Sequence, residues 1–402
     1  MFRITTTRSL VRDSGSAADD LVEKLAGQGI ETPRYVMVHM NSSYDVDRLA
    51  QRLHELLPRT SIHGATSCGG AITQEGPAGF TDTGMAAFAI EDSDGSYGTG
   101  YSSQEGDPEG AAVTALNRAL QDAGRDGEIP RLVWISGSPG HEEALIAGIE
   151  SELGPEVPII GGSSADNDLS GKWRQFNQDG VGAPGVPGVV ISVLFPSVRV
   201  GTAFQSAYSP TDKHAVVTKA AHRTILELDH RPARDVYEEW GGGRLSELPR
   251  SASVNILSHT ALNPLGRKFG SIGEAAVHLL SHPETFTPEG GITLFTDIRM
   301  SDEVTFMQGG TETLVHRAGR VADASMRISE IGKSEVSGAI VVYCAGCMLA
   351  VRDQLQIIRD DLDQALDGKP YIGTFTFGEQ GRVLGERNCH GNLMISTLVF
   401  GA

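Results

Sequence analysis

The sequence predicts an α/β protein of two domains, built from repeated β-loop-α-β units with mixed, largely parallel sheets. Three observations support this prediction. The chain has 402 residues, more than one hydrophobic core usually serves. With 40% hydrophobic and 21% charged residues, its composition is that of a globular protein. Three segments, 35–70, 132–167 and 339–381, share one plan, which indicates an internal repeat.

Each copy of the repeat has an apolar run, a polar loop, a helical stretch and a second run that reaches a glycine. In the first two copies, 28 residues separate a valine of the first run from that glycine, and in the third copy 32 residues do. The helical stretches carry leucine and isoleucine three or four positions apart, as one buried helix face requires. Such a unit forms a right-handed crossover between parallel strands.

Open sheets of this kind bind ligands at the carboxyl ends of their parallel strands, where loops and helix N-termini offer backbone N–H groups. The three glycine-containing motifs are predicted to end strands there. They supply these candidate binding residues: Thr66, Ser67 and Cys68; Gly161, Gly162, Ser163, Asp166 and Asn167; and Glu379.

The stretch between the second and third copies has a different pattern. Residues 188–208 predict a pair of neighbouring strands, and residues 222–242 predict a strand, a turn and a helix that glycines stop. We place the domain boundary near residue 232. The expected organisation is a strand and helix extension over 1–29, an N-terminal domain over 30–231 and a C-terminal domain over 232–402.

Charge and cysteine content exclude several classes of protein. The formal charge is −18 and no basic stripe is present, so nucleic acid is not an expected partner. The apolar runs are too short for a signal peptide or a membrane span, and four cysteines are too few for a disulfide framework. We therefore expect a cytoplasmic protein with no membrane partner.

Several segments together resemble the FIST family of sensory proteins, named for F-box and intracellular signal transduction. They are "ILELDHRPARDVYEEWGG", "VTFMQGGTETLV" and the tail from "YCAGCMLAVRDQ" to "CHGNLMISTLVF". The resemblance covers about residues 30 to 400. It implies N- and C-terminal FIST halves that sense a small ligand, with amino acids proposed for the family. A subgroup binds haem and senses nitric oxide with a partner histidine kinase.

The family's motifs can be placed residue by residue on this sequence. The resemblance implies binding roles for residues in four short motifs: Gly161, Gly162, Ala165 and Asp166; Cys344, Ala345 and Gly346; Gly378 and Glu379; and His390 and Asn392.

Each candidate has an alternative explanation that the sequence leaves open. Cys344 and Cys347 form a Cys-x-x-Cys at a strand-to-helix junction, which suits buried structural thiols, a pocket wall or a redox couple. His390 suits a structural hydrogen bond, a ligand contact or a haem iron ligand. Asp166, Asn167 and Glu379 suit either turn formation or the binding of an ammonium group. We expect Asp166 to lie in a solvent-facing loop.

No catalytic or metal-binding set is complete. The stretch from Ser136 to His141 lacks the first glycine of a nucleophile elbow, and no second pair of cysteine or histidine residues completes a zinc site. We therefore predict a sensor and not an enzyme. It would bind a small molecule without a cofactor, or haem in the alternative case. No output domain is recognisable, so the signal would pass to a separate protein, such as a histidine kinase.

Overall fold

A computed structural model describes residues 1–80, 82–272 and 275–402. The helices are α1 Ser14–Gly27, α2 Val46–Leu56, α3 Pro108–Asp122, α4 Glu142–Leu153, α5 Ala233–Trp240, α6 Leu257–Thr260, α7 Thr311–Val315, α8 Arg317–Ile328, α9 Ala345–Ala350 and α10 Leu355–Ala365. Short 3-10 turns cover Lys333–Glu335 and Arg352–Gln354.

The strands form four sheets. In chain order they are β1 Phe2–Ser9, β2 Tyr35–Met40, β3 Ser61–Thr66, β4 Ala71–Thr73, β5 Gly76–Ala78, β6 Met85–Asp92, β7 Ser96–Ser103, β8 Leu132–Gly137, β9 Ile159–Ser163, β10 Gln175–Phe176, β11 Gly188–Phe195, β12 Val200–Ser206, β13 Ser209–Ala221, β14 Thr224–Leu228, β15 Arg231–Pro232, β16 Val254–Asn255, β17 Leu265–Ile272, β18 Ala275–Ser281, β19 Pro283–Phe286, β20 Ile292–Leu294, β21 Glu303–Gln308, β22 Gly338–Cys344, β23 Tyr371–Thr376, β24 Glu379–Val383, β25 Arg387–Gly391 and β26 Met394–Phe400.

Three of the sheets repeat one arrangement. Their strand orders are β1-β6-β2-β3-β10 for the first sheet, β25-β24-β9-β8-β11-β7 for the second and β12-β26-β22-β23-β4-β5 for the third. Each contains one parallel pair, β2 with β3, β8 with β9 and β22 with β23, as the repeat predicts. The mixed α/β class is thus confirmed. The expectation of largely parallel sheets is wrong, since the other described strand pairs are antiparallel. The parallel pair of each repeat is flanked by a strand from outside the repeat that runs in the opposite direction: β6, β11 or β26.

The register of the parallel pairs shows that the repeat is structural. Gly64 lies opposite Val38, Gly161 opposite Ile135 and Gly373 opposite Val341, so the three glycines occupy equivalent positions. The strands continue two or three residues beyond these glycines. The expectation that the glycines end the strands is therefore wrong, because the extended backbone continues to the polar residues Thr66, Ser163 and Thr376.

The first three sheets pack around a common apolar core. Side chains of all three meet there, among them Phe88 from the first sheet, Trp134 from the second and Ile340 from the third. Helices cover the outer faces: α1 and α2 the first sheet, α3 and α4 the second, and α8 and α10 the third. We call this unit the three-sheet body.

The fourth sheet has nine strands, in the order β16-β19-β20-β14-β13-β21-β17-β18 with β15 on β14. It packs its own core around α5, with Tyr237 and Phe286 buried there. Residues 188–208 do not form the neighbouring strand pair that the sequence predicts. Instead, β11 joins the second sheet and β12 pairs with β26 in the third, so the two strands pair with segments far from them in the sequence and not with each other.

Among the helices of the described residues, none combines the length and the apolar composition that a membrane crossing needs.

Candidate functional site

The ends of β3, β9 and β23 meet at one end of the three-sheet body. The Ala165 N–H donates to the Thr66 carbonyl at 3.1 Å, and the Cys68 N–H donates to the Phe375 carbonyl at 3.0 Å. Each bond joins segments from different copies of the repeat. The structure therefore brings the predicted strand-end residues together.

Most polar groups of the first copy hold these ends to one another. The Ser67 hydroxyl donates to the Phe375 carbonyl and accepts from the Phe375 N–H at 2.8 Å. The Thr66 hydroxyl accepts from the Arg174 N–H at 2.9 Å. The Asn167 side-chain oxygen accepts from the Gly69 N–H at 2.8 Å. These bonds are structural.

Asp166 has the geometry of a turn former. Its side chain is fully buried, and its two carboxylate oxygens accept the backbone N–H groups of Asp168 at 3.3 Å and Lys172 at 2.8 Å. The expectation that this residue sits in a solvent-facing loop is wrong, because the carboxylate organises the loop from inside. A role in ligand binding stays a prediction.

Gly161 and Gly162 are required by close packing within the body. Gly161 has φ +153, and a Cβ there would overlap the Ile135 carbonyl oxygen. A Cβ on Gly162 would overlap the Thr376 side chain. Both glycines therefore serve contact between strands, and neither opens a cavity.

A second group of residues meets around the carboxylate of Glu142, the first residue of α4. The Ser163 hydroxyl donates to Glu142 Oε1 at 2.7 Å, and the Gly140 N–H donates at 3.1 Å. Arg223 Nη2 donates to Oε2 at 2.9 Å, and His390 Nε2 lies 3.8 Å from that oxygen. Burial alone would raise the pKa of Glu142, but His390 and Arg223 hold it at about 2.

Arg223 joins this group to the nine-stranded sheet. It lies in the turn between β13 and β14, and its guanidinium contacts Glu142, Glu143 at 2.5 Å and Asp297 at 3.0 Å. We call Glu142, Glu143, Arg223, Asp297, Gln380 and His390 the His390 cluster. Three carboxylates surround the Arg223 guanidinium, which is 20% exposed, and the nearby Arg267 guanidinium donates to the Asp297 carbonyl at 2.7 Å.

Three members of the cluster have the spacing of a metal site. Ligand atoms of Glu142, Glu143 and His390 lie within 4.8 Å of one another. The Arg223 guanidinium donates to both carboxylates, so a cation would meet a positive charge at that place. The arrangement favours an ion-pair network.

The surroundings of His390 do not fit an axial haem ligand. Its Nδ1 lies 3.2 Å from the Gln380 amide nitrogen, its Nε2 lies 3.2 Å from the Phe295 carbonyl oxygen, and its side chain is fully buried. An iron ligand needs a free ring nitrogen that faces a wide apolar slot. Both nitrogens are engaged here, and charged residues lie on the Nε2 side.

Three buried side chains near β24 and β25 have a polar atom without a partner, and one of them, Gln380, contacts His390. Gln380 Oε1, His282 Nε2 and Asn392 Nδ2 form no hydrogen bond within the described residues, although all three side chains are buried. The His282 N–H donates to Asn392 Oδ1 at 3.2 Å, and the His282 ring packs edge-on against Phe295. Burial lowers the pKa of His282 to about 4. Buried polar atoms in proteins are nearly always paired, so a water molecule or another bound group would complete these hydrogen bonds.

Cys344, Gly346 and Glu379 lie next to these atoms. A Cβ on Gly346 would lie 3.6 Å from both Cys344 Sγ and His282 Cε1. Glu379 accepts from the Thr376 hydroxyl at 2.9 Å and from the Met394 N–H at 3.0 Å. Burial and the neighbouring Cys344 thiol hold the pKa of Glu379 well above its usual range.

The thiols have the character of buried structural groups. Burial, followed by the hydrogen bond to Cys347, raises the pKa of Cys344 well above its usual range. The short helix α9 that begins after Cys344 does not offset this, because desolvation of a thiolate is the larger effect. Burial likewise raises the pKa of Cys68 to about 12. Burial therefore does not favour the thiolate form that a redox couple would need at Cys344.

Sequence reasoning missed Glu142, Glu143, Arg223 and Asp297. Two acids at the start of a predicted helix are ordinary, because they favour the positive end of the helix dipole. Arg223 contacts them across 81 residues of chain. The one signal in the sequence is the position of Glu142 directly after the loop of the second copy, at the carboxyl end of β8.

Two of the surface cavities, of about 480 and 240 Å³, lie away from the strand ends. The larger is lined by residues of β12 and α8, and the smaller includes Arg34, Ser61 and Gln178. Neither is lined by a residue that the sequence predicts to bind a ligand.

Comparison with known proteins identifies the two halves. The FIST N domain matches residues 34–231 and the FIST C domain matches residues 233–382. An uncharacterized protein of Methanocaldococcus jannaschii is 31% identical over 107 residues, which are 27% of this chain and 20% of that protein. The match thus spans about a fifth of the length of this curated relative.

Solved structures show only distant likeness. A cyanuric acid hydrolase from A. caulinodans is 8% identical with a TM-score of 0.39, and the comparison covers 100% of both chains. A phosphoribosylformylglycinamidine synthase II from Thermotoga maritima is 9% identical with a TM-score of 0.20, over 100% of this chain and 72% of that one. Neither likeness bears on the chemistry of this chain. The two domain matches together cover most of its length, and the chain therefore belongs to the FIST family, whose domains are generally sensors in signal transduction and not catalysts.

Proposed function

We propose that the chain senses an amino acid or a related small zwitterion, which binds at the His390 cluster. The observation that carries this proposal is the unpaired buried Oε1 of Gln380, whose amide nitrogen lies 3.2 Å from His390 Nδ1 in a cluster that holds three carboxylates. Unpaired buried groups cost free energy, and a ligand that pairs them recovers that cost on binding.

The charges of the cluster match a zwitterion. Glu143 and Asp297 are 27% and 54% exposed, so an incoming ammonium group can reach both carboxylates. Arg223 offers a planar guanidinium to a ligand carboxylate. The first turn of α4 has no side-chain cap in the described structure, so its N–H groups add to the attraction for a carboxylate.

The position of the cluster suggests how binding would become a signal. Glu142 and Glu143 belong to the three-sheet body, whereas Arg223 and Asp297 belong to the nine-stranded sheet. A ligand that replaces some of the contacts of Arg223 or Asp297 changes the strength of the interactions between these two units. Differential binding of this kind shifts a conformational equilibrium.

Isothermal titration calorimetry against the common amino acids and their amines tests the proposal. We expect one ligand group to bind and Glu143→Gln to weaken its binding about tenfold, as the loss of one charge-assisted hydrogen bond implies. Glu152→Gln is the matched control, because it removes the same charge from an exposed position of the same helix. Absence of binding, or equal weakening in both variants, would contradict the proposal.

The protein that receives the signal is also a proposal. The family resemblance favours a histidine kinase or another signalling protein in the cytoplasm. A ligand-dependent change in autophosphorylation of a candidate kinase, lost in Glu143→Gln and kept in Glu152→Gln, would support such a pairing.

A further inference from the structure

We propose that a basic cleft beside α8 is a second binding site, which takes a small phosphorylated molecule with more than one negative charge. The cleft lies between α8 and the edge strand β12 of the third sheet and has a volume of about 480 Å³. We call it the α8 cleft. It is separate from the His390 cluster, since the two share no residue.

The charge of the α8 cleft is opposite to that of the whole chain. Its lining includes Arg317, Arg320, Arg327 and Lys333, whereas Asp323 is the one carboxylate among its lining residues. The chain as a whole has 33 basic and 51 acidic residues. Four cations at one place in an acidic protein indicate selection for an anion.

The three arginines of the α8 cleft form no ion pair within the described residues. Asp323 only approaches Lys333, at 3.9 Å. Arg317 donates to the Gln205 side chain at 2.8 Å, and its Nε is buried without a partner. Burial, together with the charge of Arg320, lowers the pKa of Arg317. A bound anion would relieve this repulsion.

The shape of the cleft favours a small molecule over a protein partner. Its volume lies within the range of about 300–1,000 Å³ that small-molecule pockets occupy. Met326 and Ile331 are buried and give it an apolar floor, so part of a ligand can pack there. A guanidinium group can donate two parallel hydrogen bonds to the oxygens of one phosphate. Three arginines in the cleft therefore fit a phosphate better than they fit a general attraction for negative charge.

Calorimetric titration of the whole chain with pyrophosphate and, in parallel, with adenosine diphosphate tests the proposal. We expect saturable binding of at least one of them, and at least tenfold weaker binding in Arg320→Gln/Arg327→Gln. The control is Arg244→Gln/Arg352→Gln, which removes the same charge at exposed positions outside the cleft. Stronger binding of the nucleotide than of pyrophosphate would show that the apolar floor is used.

Three outcomes would overturn the proposal. One is no saturable binding of either probe. Another is an equal loss of affinity in the two double variants, which would show that binding depends on the net charge of the protein and not on the cleft. The third is binding of a glutamate decapeptide, lost in Arg320→Gln/Arg327→Gln, without binding of either phosphate probe, because the cleft would then be a docking surface for an acidic protein segment. Circular dichroism of both double variants checks that they fold.

Discussion

Glu142 and Arg223 form an ion pair of 2.9 Å between the three-sheet body and the nine-stranded sheet, and the carboxylate is only 3% exposed. A buried charge depends heavily on its counter-ions, because burial without them is costly. This pair therefore links the stability of the fold to the site that we propose for the ligand.

Replacing Arg223 should destabilise the protein strongly. We expect Arg223→Met to lower the free energy of unfolding by about 2–5 kcal/mol, because Glu142 then stays buried without its cation. Arg231→Met, which breaks the exposed pair with Glu239, should cost at most about 1 kcal/mol. Denaturant unfolding measures both. Adding Glu142→Gln to Arg223→Met should recover part of the loss, and additive losses would contradict this account.

Glu379 should make the protein less stable as the pH rises. Its pKa in the folded state is raised above the unfolded value of about 4.3, so the unfolded state releases its proton first and stability falls from that pH upward. In Glu379→Gln the side chain keeps its shape but can no longer ionise. We expect this variant to gain stability over the native chain at about pH 7 and to lose the gain near about pH 4. Unfolding curves at both pH values measure this, and a gain that is equal at both would disprove it.

The cysteines should be unreactive in the folded protein. Burial raises the pKa of Cys344 well above its usual range, that of Cys68 to about 12 and that of Cys389 to about 11. The thiolate is the reactive form, so iodoacetamide should label these sites very slowly at about pH 7 and rapidly after unfolding. Mass spectrometry of the labelled chain gives the rates. A disulfide between Cys344 and Cys347 formed by mild oxidant in the native state would revive the redox alternative.

A methyl group on Gly378 should displace His390. A Cβ there would overlap His390 Cε1, so Gly378→Ala should destabilise the fold by about 1–3 kcal/mol. Gly27→Ala serves as the control, since nothing lies within 4 Å of its added Cβ at the end of α1. That variant should be neutral or more stable by up to about 1 kcal/mol. Similar unfolding midpoints for the two variants would show that His390 is not held by this packing.

The repeat and its parallel pairs can be predicted from the sequence because they depend on local order. In each copy a strand, a helix and a second strand follow one another. The number of residues from Val36 to Gly64 equals the number from Val133 to Gly161, and this equal spacing reveals the shared plan. The family is likewise recognisable from the sequence, since each of its motifs is a short continuous segment and the segments keep their order along the chain.

The ion network could not be predicted, because its members are far apart in the chain. Arg223 finds Glu142 only after β13 and β14 have folded back against the three-sheet body, and no local pattern records that contact. The expected exposure of Asp166 is wrong for a related reason. A carboxylate that serves its own loop and one that serves a ligand have the same sequence neighbours, and only burial separates them.

The shared sheets also decide how the chain can be divided. Strand β12 lies before residue 232 and pairs with β26, while β24 lies after it and pairs with β9. A cut between residues 231 and 233 would strip both pieces of partners and leave bare strand edges, which associate unspecifically. The two pieces should thus behave like the halves of a split reporter, insoluble when expressed singly and able to reconstitute when they are made together in one cell.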